Sequence, residues 1–318
     1  MKRVRGLYEK IYSIHNLELA DELASKGKKQ KYGVVMHLKK QNENLLALQK
    51  MLMDKTYSTS AYQVFKVYEP KEREVYRLPY YPDRIAHHAI MNVLESVFVN
   101  TFTTDSYSCI KGMGLHKASR RLTRSLKDVT FSKYCLKLDI KKFYPSVDHD
   151  ILKSLLRRKI KDADLLWLLD EIIDSAPGLP IGNYLSQYLA NFYLTYFDHW
   201  LKETMGVKYY FRYADDIVIL APTKKELHTL RILIADYLHD NLKLEVKRNY
   251  QVFPVTNGID FLGYVHRPTH VLLRKSIKLR FIKAVKSNKP KSSIASYLGW
   301  TKHANCRNLE KKYINEKV

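Results

Sequence analysis

The sequence predicts an α+β fold, on three observations. Short strand-like patterns and longer helical patterns follow one another along the chain without the strict strand–helix–strand regularity of a doubly wound sheet. The 318 residues suffice for about two or three subdomains with a sizeable core, and 46% hydrophobic with 27% charged residues is an ordinary globular composition. No internal repeat and no low-complexity linker breaks the pattern.

Residues 1–60 read as largely helical and basic, as in "SKGKKQKYG" and "LLALQKMLMDK". In "YQVFKVYEPKEREVYRLPYYPDR", the alternation of Val64, Lys66 and Tyr68 and the closing prolines predict strands and a turn. Asp83, after Pro82, stands where it would cap a helix carrying Ile85, Ile90, Val93, Leu94 and Val97. In "CLKLDIKKFYPSV", Leu136, Leu138 and Ile140 alternate with Lys137, Asp139 and Lys141, which predicts a half-buried strand ending near Pro145. Asp148 and Asp150 open a helix whose Leu152, Leu155, Leu156 and Ile160 share one face. "PGLPIGN" is a rigid loop ahead of a helix with Leu185, Leu189, Phe192 and Tyr196. "FRYADDIVIL" predicts a hairpin, "LHTLRILIADYL" a helix and "GIDFLGYV" a further strand turn, and a lysine-rich helical tail begins near Arg274. "KGMGLHK" reads as a loop without the G-x-G-x-x-G fingerprint, and His87 and His88 read as packing or hydrogen-bonding groups on a helix.

The charge narrows the function. Lys and Arg total 55 against 32 Asp and Glu, a net +23. So large an excess opposes compaction unless a polyanion neutralises it, which makes nucleic acid the leading partner and an anionic membrane surface the second. The 24 tyrosines add rings suited to stacking beside phosphate contacts. Three scattered cysteines, Cys109, Cys135 and Cys306, exclude a disulfide framework and a CxxC zinc module and fit a reducing compartment. "MKRVRGLYEKIYS" lacks the apolar run of a signal peptide, and no stretch approaches the ~18 apolar residues of a spanning helix, so a cytoplasmic chain without a membrane partner is expected.

Asp215 and Asp216 lie between Tyr209, Tyr210, Phe211 and Tyr213 on one side and Ile217 to Leu220 on the other. Burying an unpaired carboxylate costs about several kcal/mol, so two in an apolar hairpin need compensation. Divalent cations, which prefer oxygen ligands, supply it at a hairpin turn, and Asp139 on the polar face of its own strand is the natural third ligand. A lone Asp-Asp in a turn is ordinarily solvated turn chemistry, and a single strand Asp is ordinarily an exposed-face residue. It is the coincidence of hairpin, upstream strand Asp and basic chain that points to paired cations clamping an in-line phosphoryl displacement.

These residues carry a resemblance. "YADD" at 213–216 and "LDIKKFYPSV" at 138–147 resemble the two catalytic palm motifs of reverse transcriptases; "GLPIGNYLSQYLAN" at 178–191 resembles the intervening loop-helix motif and "FLGY" at 261–264 the primer-grip turn. The resemblance covers roughly residues 60 to 300 and implies a right-hand polymerase fold. Its expected division is 1–130 as N-terminal extension and fingers, 131–265 as palm with 148–177 a fingers-side helical segment, and 266–318 as a short helical thumb. Ile181-Gly182 followed by Ser186-Gln187 has the I-G-x-x-x-S-Q form and is similar to the reverse transcriptases of diversity-generating retroelements of bacteria and phages. "YEPKERE", "PDRIAHHAI", "GMGLHKA" and "THVLLRKS" resemble the same group.

The resemblance implies an RNA-directed DNA polymerase that copies a template-repeat RNA into cDNA with errors at adenines. Asp139, Asp215 and Asp216, with the Ile140 carbonyl, are implied as ligands of two Mg²⁺ ions, with Mn²⁺ an alternative occupant. Tyr144 is implied beneath the incoming sugar, where a ring collides with a ribose 2′-OH; core packing of Phe143 and Tyr144 is the competing reading. Ile181, with Gly182 and Gln187 of the same motif, is implied near the nascent base pair, where an aliphatic group lacks the polar check of a glutamine; loop packing competes with that role. Arg73, with Lys71 and Arg77 nearby, is implied as a triphosphate clamp, though a solvated strand edge explains the latter two equally well. Lys247 or Lys243 is a candidate to protonate pyrophosphate. Implied partners are dNTPs, a DNA primer strand, a structured template RNA and an oligomeric basic accessory variability protein, and no room is expected for RNase H, integrase or endonuclease domains. The basic tail from 274 would track a nucleic-acid backbone. A retron or group II intron-like reverse transcriptase, and a nucleic-acid-binding protein with a vestigial site, are the alternatives.

Overall fold

The computed structural model describes residues 3–68 and 72–313. The N-terminal stretch is helical as expected: α1 (Tyr8–Tyr12), α2 (Ile14–Ser25), α3 (Tyr32–Leu38) and α4 (Gln41–Met53). β1 (Gln63–Val67) and β2 (Arg73–Arg77) pair antiparallel; Lys71, between them, lies outside the described residues. Next come α5 (Ile85–Val99), α6 (Leu115–Ser125), β3 (Tyr134–Asp139), α7 (His149–Lys159), α8 (Ala163–Asp174), α9 (Tyr184–Tyr193) and α10 (Thr195–His199). β4 (Tyr209–Tyr213), β5 (Asp216–Ala221), α11 (Lys224–Leu242), β6 (Gln251–Pro254), β7 (Ile259–Phe261), β8 (Tyr264–His266) and β9 (Val271–Leu273) follow. The basic tail forms α12 (Lys275–Lys286), α13 (Lys291–Thr301) and α14 (Arg307–Tyr313). Among the described residues no helix is long and apolar enough to cross a membrane.

The chain divides into two compact units, each assembled from three stretches. The first comprises Met1–Thr103, Lys141–Asp198 and Leu238–Glu245. Its core forms where α2 and α9 pack on α5, through buried Leu17, Ile90, Leu94 and the Phe98–Phe192 ring pair. Asp148 stands at the start of α7 as expected, and its side chain caps the helix, accepting from the Ile151 N–H at 3.0 Å. Asp83 does not cap α5. Its carboxylate is fully buried and accepts from the Tyr57 hydroxyl at 2.9 Å and the Ser60 N–H at 3.1 Å, and the chain enters α5 past an extended kink at Tyr81 (ψ 136°) with no side-chain cap. Two tertiary donors outcompete the local helix end for this acid.

The second unit comprises Thr104–Ile140, His199–Tyr237 and Val246–Val318. It holds an antiparallel sheet in the order β4-β5-β3-β6 and a three-stranded sheet in the order β7-β8-β9. Central position buries β3 more deeply than its alternation suggests: Cys135 joins Leu136 and Leu138 in full burial, leaving Tyr134, Lys137 and Asp139 partly exposed. "KGMGLHK" is only half a loop. Gly112 and Gly114 take positive φ, and Leu115 begins α6, which buries Ala118 and Leu122 at helical spacing.

β7 and β8 meet at a two-residue turn in which Leu262 has φ +51° and Gly263 has φ +83°. Left-handed conformation at both turn positions suits the twist of a tight hairpin. A Cβ on Gly263 would also lie 2.5 Å from the Trp300 ring. Gly263→Ala therefore combines strain with overpacking, and thermal unfolding of the variant is expected to start several degrees below wild type, a loss of about 2 kcal/mol or more.

Candidate active site

β3 ends on Asp139, and its cross-strand partner in β5 is Asp216. Tyr213 of β4 also pairs with Asp216, so Ala214 and Asp215 form the two-residue turn of the β4–β5 hairpin. Three carboxylates thus gather at one end of the central strand pair. Ala214 has φ +54°, a conformation that costs a residue with a Cβ about 1–2 kcal/mol. Two contacts hold the turn. The Ile140 N–H donates to the Asp215 carbonyl at 3.2 Å, and the Arg212 guanidinium donates to the Ala214 carbonyl at 3.3 Å and to Ser106 Oγ at 2.9 Å. Arg212 is fully buried and was not singled out by sequence reasoning. The available signal was a guanidinium between Phe211 and Tyr213, in a strand otherwise reading as apolar.

Like charges opposite one another destabilise a sheet, and the site shows that tension. Burial raises the Asp215 pKa and the neighbouring Asp139 carboxylate raises it further. Asp216 is pushed up to about 6 by burial, with Lys137 offsetting part of the shift and Asp139 and Asp215 adding to it. Two ammonium groups answer the acids. Lys247 Nζ lies 2.6 Å from Asp139 Oδ1, an ion pair that lacks hydrogen-bond geometry, while its N–H donates to the Asp139 carbonyl at 2.9 Å. Lys137 Nζ lies 4.0 Å from Asp216 Oδ2. Asp216 Oδ1 is buried and meets no hydrogen-bond donor. Among the described residues no three His, Cys, Asp or Glu side chains form a ready-made ion cage. The donor set nevertheless fits a hard divalent cation: all-oxygen, anionic, and with a buried lone pair that no protein group satisfies.

The remaining expected residues lie in the first unit. Phe143 is buried core, whereas Tyr144 is half-buried, and the Tyr144 carbonyl accepts from the Leu179 N–H at 2.8 Å. Gly178 is required beside it, since a Cβ there would lie 2.6 Å from that carbonyl. The Ile181 carbonyl accepts from the Tyr76 N–H at 2.8 Å, which fastens its loop to β2. Gly182 (φ +119°) permits the approach, because a Cβ would lie 2.7 Å from the Tyr76 carbonyl. Gln187 is exposed on α9, and Arg73 is exposed on β2 without an ion pair among the described residues. Lys243 pairs with Asp148 at 2.5 Å, whereas Lys247 pairs with Asp139.

The electrostatics carry a prediction. A carboxyl whose folded pKa is raised favours the native state when protonated; that stability is complete below the unfolded value near 4 and is lost as pH rises through about 6. Ionised Asp216 therefore opposes folding at pH 7.5. Asp216→Asn is expected to raise the stability of chelator-treated protein at pH 7.5 by on the order of 2 kcal/mol, with the difference vanishing near pH 4. Denaturant unfolding at the two pH values measures it.

Known proteins resemble this chain in sequence or in fold. YkfC of Escherichia coli K12 is 26% identical over 283 residues, 73% of each chain. Nuclear intron maturase 4, mitochondrial, of Arabidopsis thaliana is 32% identical over 142 residues, 41% of this chain and 17% of the maturase. The structure of apo telomerase from Candida tropicalis superposes with a TM-score of 0.55 at 10% identity, over 69% of this chain and 49% of that one. This chain thus spans about half of the telomerase and a smaller share of the maturase. The likeness to telomerase shows the fold, which is the right-hand polymerase fold. The family described as "Reverse transcriptase (RNA-dependent DNA polymerase)" matches residues 69–266, a stretch that contains the acid cluster, the hairpin turn and the β7–β8 turn, and to that family the chain belongs.

Proposed function

We propose that this reverse transcriptase copies a structured template RNA into cDNA by attack of a primer 3′-hydroxyl on a dNTP α-phosphate, and that it does so for a diversity-generating retroelement. The observation that carries the polymerase reading is the cross-strand pairing of Asp139 with Asp216, with Asp215 in the adjoining turn. Asp139, Asp215 and Asp216, with the Ile140 carbonyl, are the residues that would hold two Mg²⁺ ions. When bound, such ions supply the positive charge that acidifies a hydroxyl and neutralises a triphosphate. In this reading residues 1–130 form the extension and fingers, 131–265 the palm and 266–318 the thumb.

The other roles belong to the chain itself. Arg73 binds triphosphate oxygens through its planar fork, and Lys247, already beside Asp139, donates a proton to departing pyrophosphate. The Tyr144 ring excludes a 2′-hydroxyl. Ile181, held by Tyr76 and followed by Gly182, presents an aliphatic surface to the base pair, while Gln187 closes the motif on α9. A glutamine-like bidentate contact is worth about 1–3 kcal/mol of base discrimination, so its lack loosens copying. The net charge of +23 supports binding of template and primer backbones and of a partner. The proposed accessory partner is the oligomeric variability protein, and the proposed location is the cytoplasm.

A group II intron-like enzyme is the second reading, favoured by the likeness to an intron maturase. The Ile181-Gly182 form separates the two, and sequencing of primer-extension products made on an RNA template with Mg²⁺ decides between them. Errors concentrated opposite template adenine support the diversification role; an even, low error spectrum refutes it. Asp139→Ala and Asp215→Ala are expected to reduce extension to background with RNA binding retained in a filter assay. Tyr144→Ala is expected to admit ribonucleotides, and Ile181→Gln to lower misincorporation at adenine.

A further inference from the structure

Lys137 is the charged residue on β3 to which the roles above give no task. The alternation of the strand places it on one face with Cys135 and Asp139. Its Nζ is 4.0 Å from Asp216 Oδ2, a Coulombic contact too long for a hydrogen bond. The hydrogen bond from Nζ goes to the main-chain carbonyl of Asp260 in β7. The Asp260 carboxylate is itself clamped, with Oδ1 2.7 Å from Arg274 Nε and 2.6 Å from its terminal nitrogen. The Arg274 N–H donates at 2.9 Å to the carbonyl of Gly263 in the β7–β8 turn, and Arg274 is the residue from which α12 starts. An unbroken set of polar contacts therefore runs from Asp216 through Lys137 and Asp260 to Arg274.

Anchoring is the decisive feature. A free lysine swings aside when a cation approaches its carboxylate, but this ammonium is held by a backbone carbonyl and cannot leave without losing that bond. The other groups facing Asp216 are the carboxylates of Asp139 and Asp215 and the more distant Arg274 guanidinium, while Lys247 is committed to Asp139. Lys137 is thus the fixed positive charge paired with the half-buried Asp216.

We infer that Lys137 is a positioning residue that sets the cation affinity of the acid cluster, acting as a permanent counter-charge to Asp216 braced against the β7–β8 turn. A divalent ion taken up at Asp216 then binds against a standing charge, so uptake stays weak and reversible. The inference rests on the reading of the three aspartates as cation ligands.

The test is direct Mn²⁺ titration of the full chain without nucleic acid, with free Mn²⁺ followed by electron paramagnetic resonance. Lys137→Met is expected to bind Mn²⁺ at least about fivefold more tightly, since removing a unit charge within a few ångströms of the site lifts a repulsion that solvent screens only in part. Lys137→Gln, which retains a donor for the Asp260 carbonyl, is expected to tighten binding to a similar degree, and Lys137→Arg to leave it near wild type. Asp139→Ala and Asp216→Ala are the controls. If both alanine variants bind Mn²⁺ like wild type, the cation site itself is wrong. If they lose affinity while Lys137→Gln and Lys137→Met stay unchanged, the counter-charge role alone is overturned.

Discussion

Everything at the candidate site depends on the antiparallel register between β3 and β5. With Leu138 opposite Ile217, the next pair along must be Asp139 opposite Asp216. The same hydrophobic interdigitation that buries Leu136, Leu138, Ile217 and Ile219 therefore forces two like charges together at the strand ends. A slip of one residue would turn every apolar side chain of β3 to its other face. Core packing thereby enforces an electrostatically unfavourable pairing, and burial first, with the neighbouring carboxylates second, raises Asp215 and Asp216 above the usual carboxylate range.

Counter-charges and backbone supports share the work of holding that arrangement. Lys247 answers Asp139 through both its ammonium and its N–H, and Lys137 answers Asp216 while bound to β7. The left-handed Ala214 is held by Arg212 from within its own hairpin and by Ile140 from across it. In the first unit the analogous supports are close backbone contacts: Gly178 against Tyr144 and Gly182 against Tyr76. Different physics, ionic in one unit and steric in the other, fixes the positions of the residues expected to contact substrate.

Much of this was legible in the sequence, for identifiable reasons. Period-two alternation marked β3, and the aromatic–acid–aliphatic order of 209–220 marked the β4–β5 hairpin, because both patterns reflect local backbone geometry. Asp148 reads correctly as opening a helix, and its capping donor lies only three residues away. Asp83 looked the same and was not, since its donors, Tyr57 and Ser60, lie more than twenty residues upstream and no local rule sees them. α6 hid behind Gly112 and Gly114, which punctuate the chain just before Leu115. Lys137 alternates with the apolar residues of β3, and that alternation assigns a face but cannot say that its ammonium reaches the Asp260 carbonyl of β7. Arg212 was invisible for the opposite reason: a guanidinium inside a sheet is read as exposed unless its acceptors are known.

The burial of Arg212 also bears on the order in which the chain assembles. A two-residue hairpin such as β4–β5 ordinarily forms early, from its own residues alone. Here the strand carries a guanidinium that stays solvated until Ser106 and the parallel bridge between Ser106 and Arg212 arrive, from about a hundred residues upstream. This hairpin, local in sequence, therefore completes its guanidinium contacts only when a segment about a hundred residues upstream is in place.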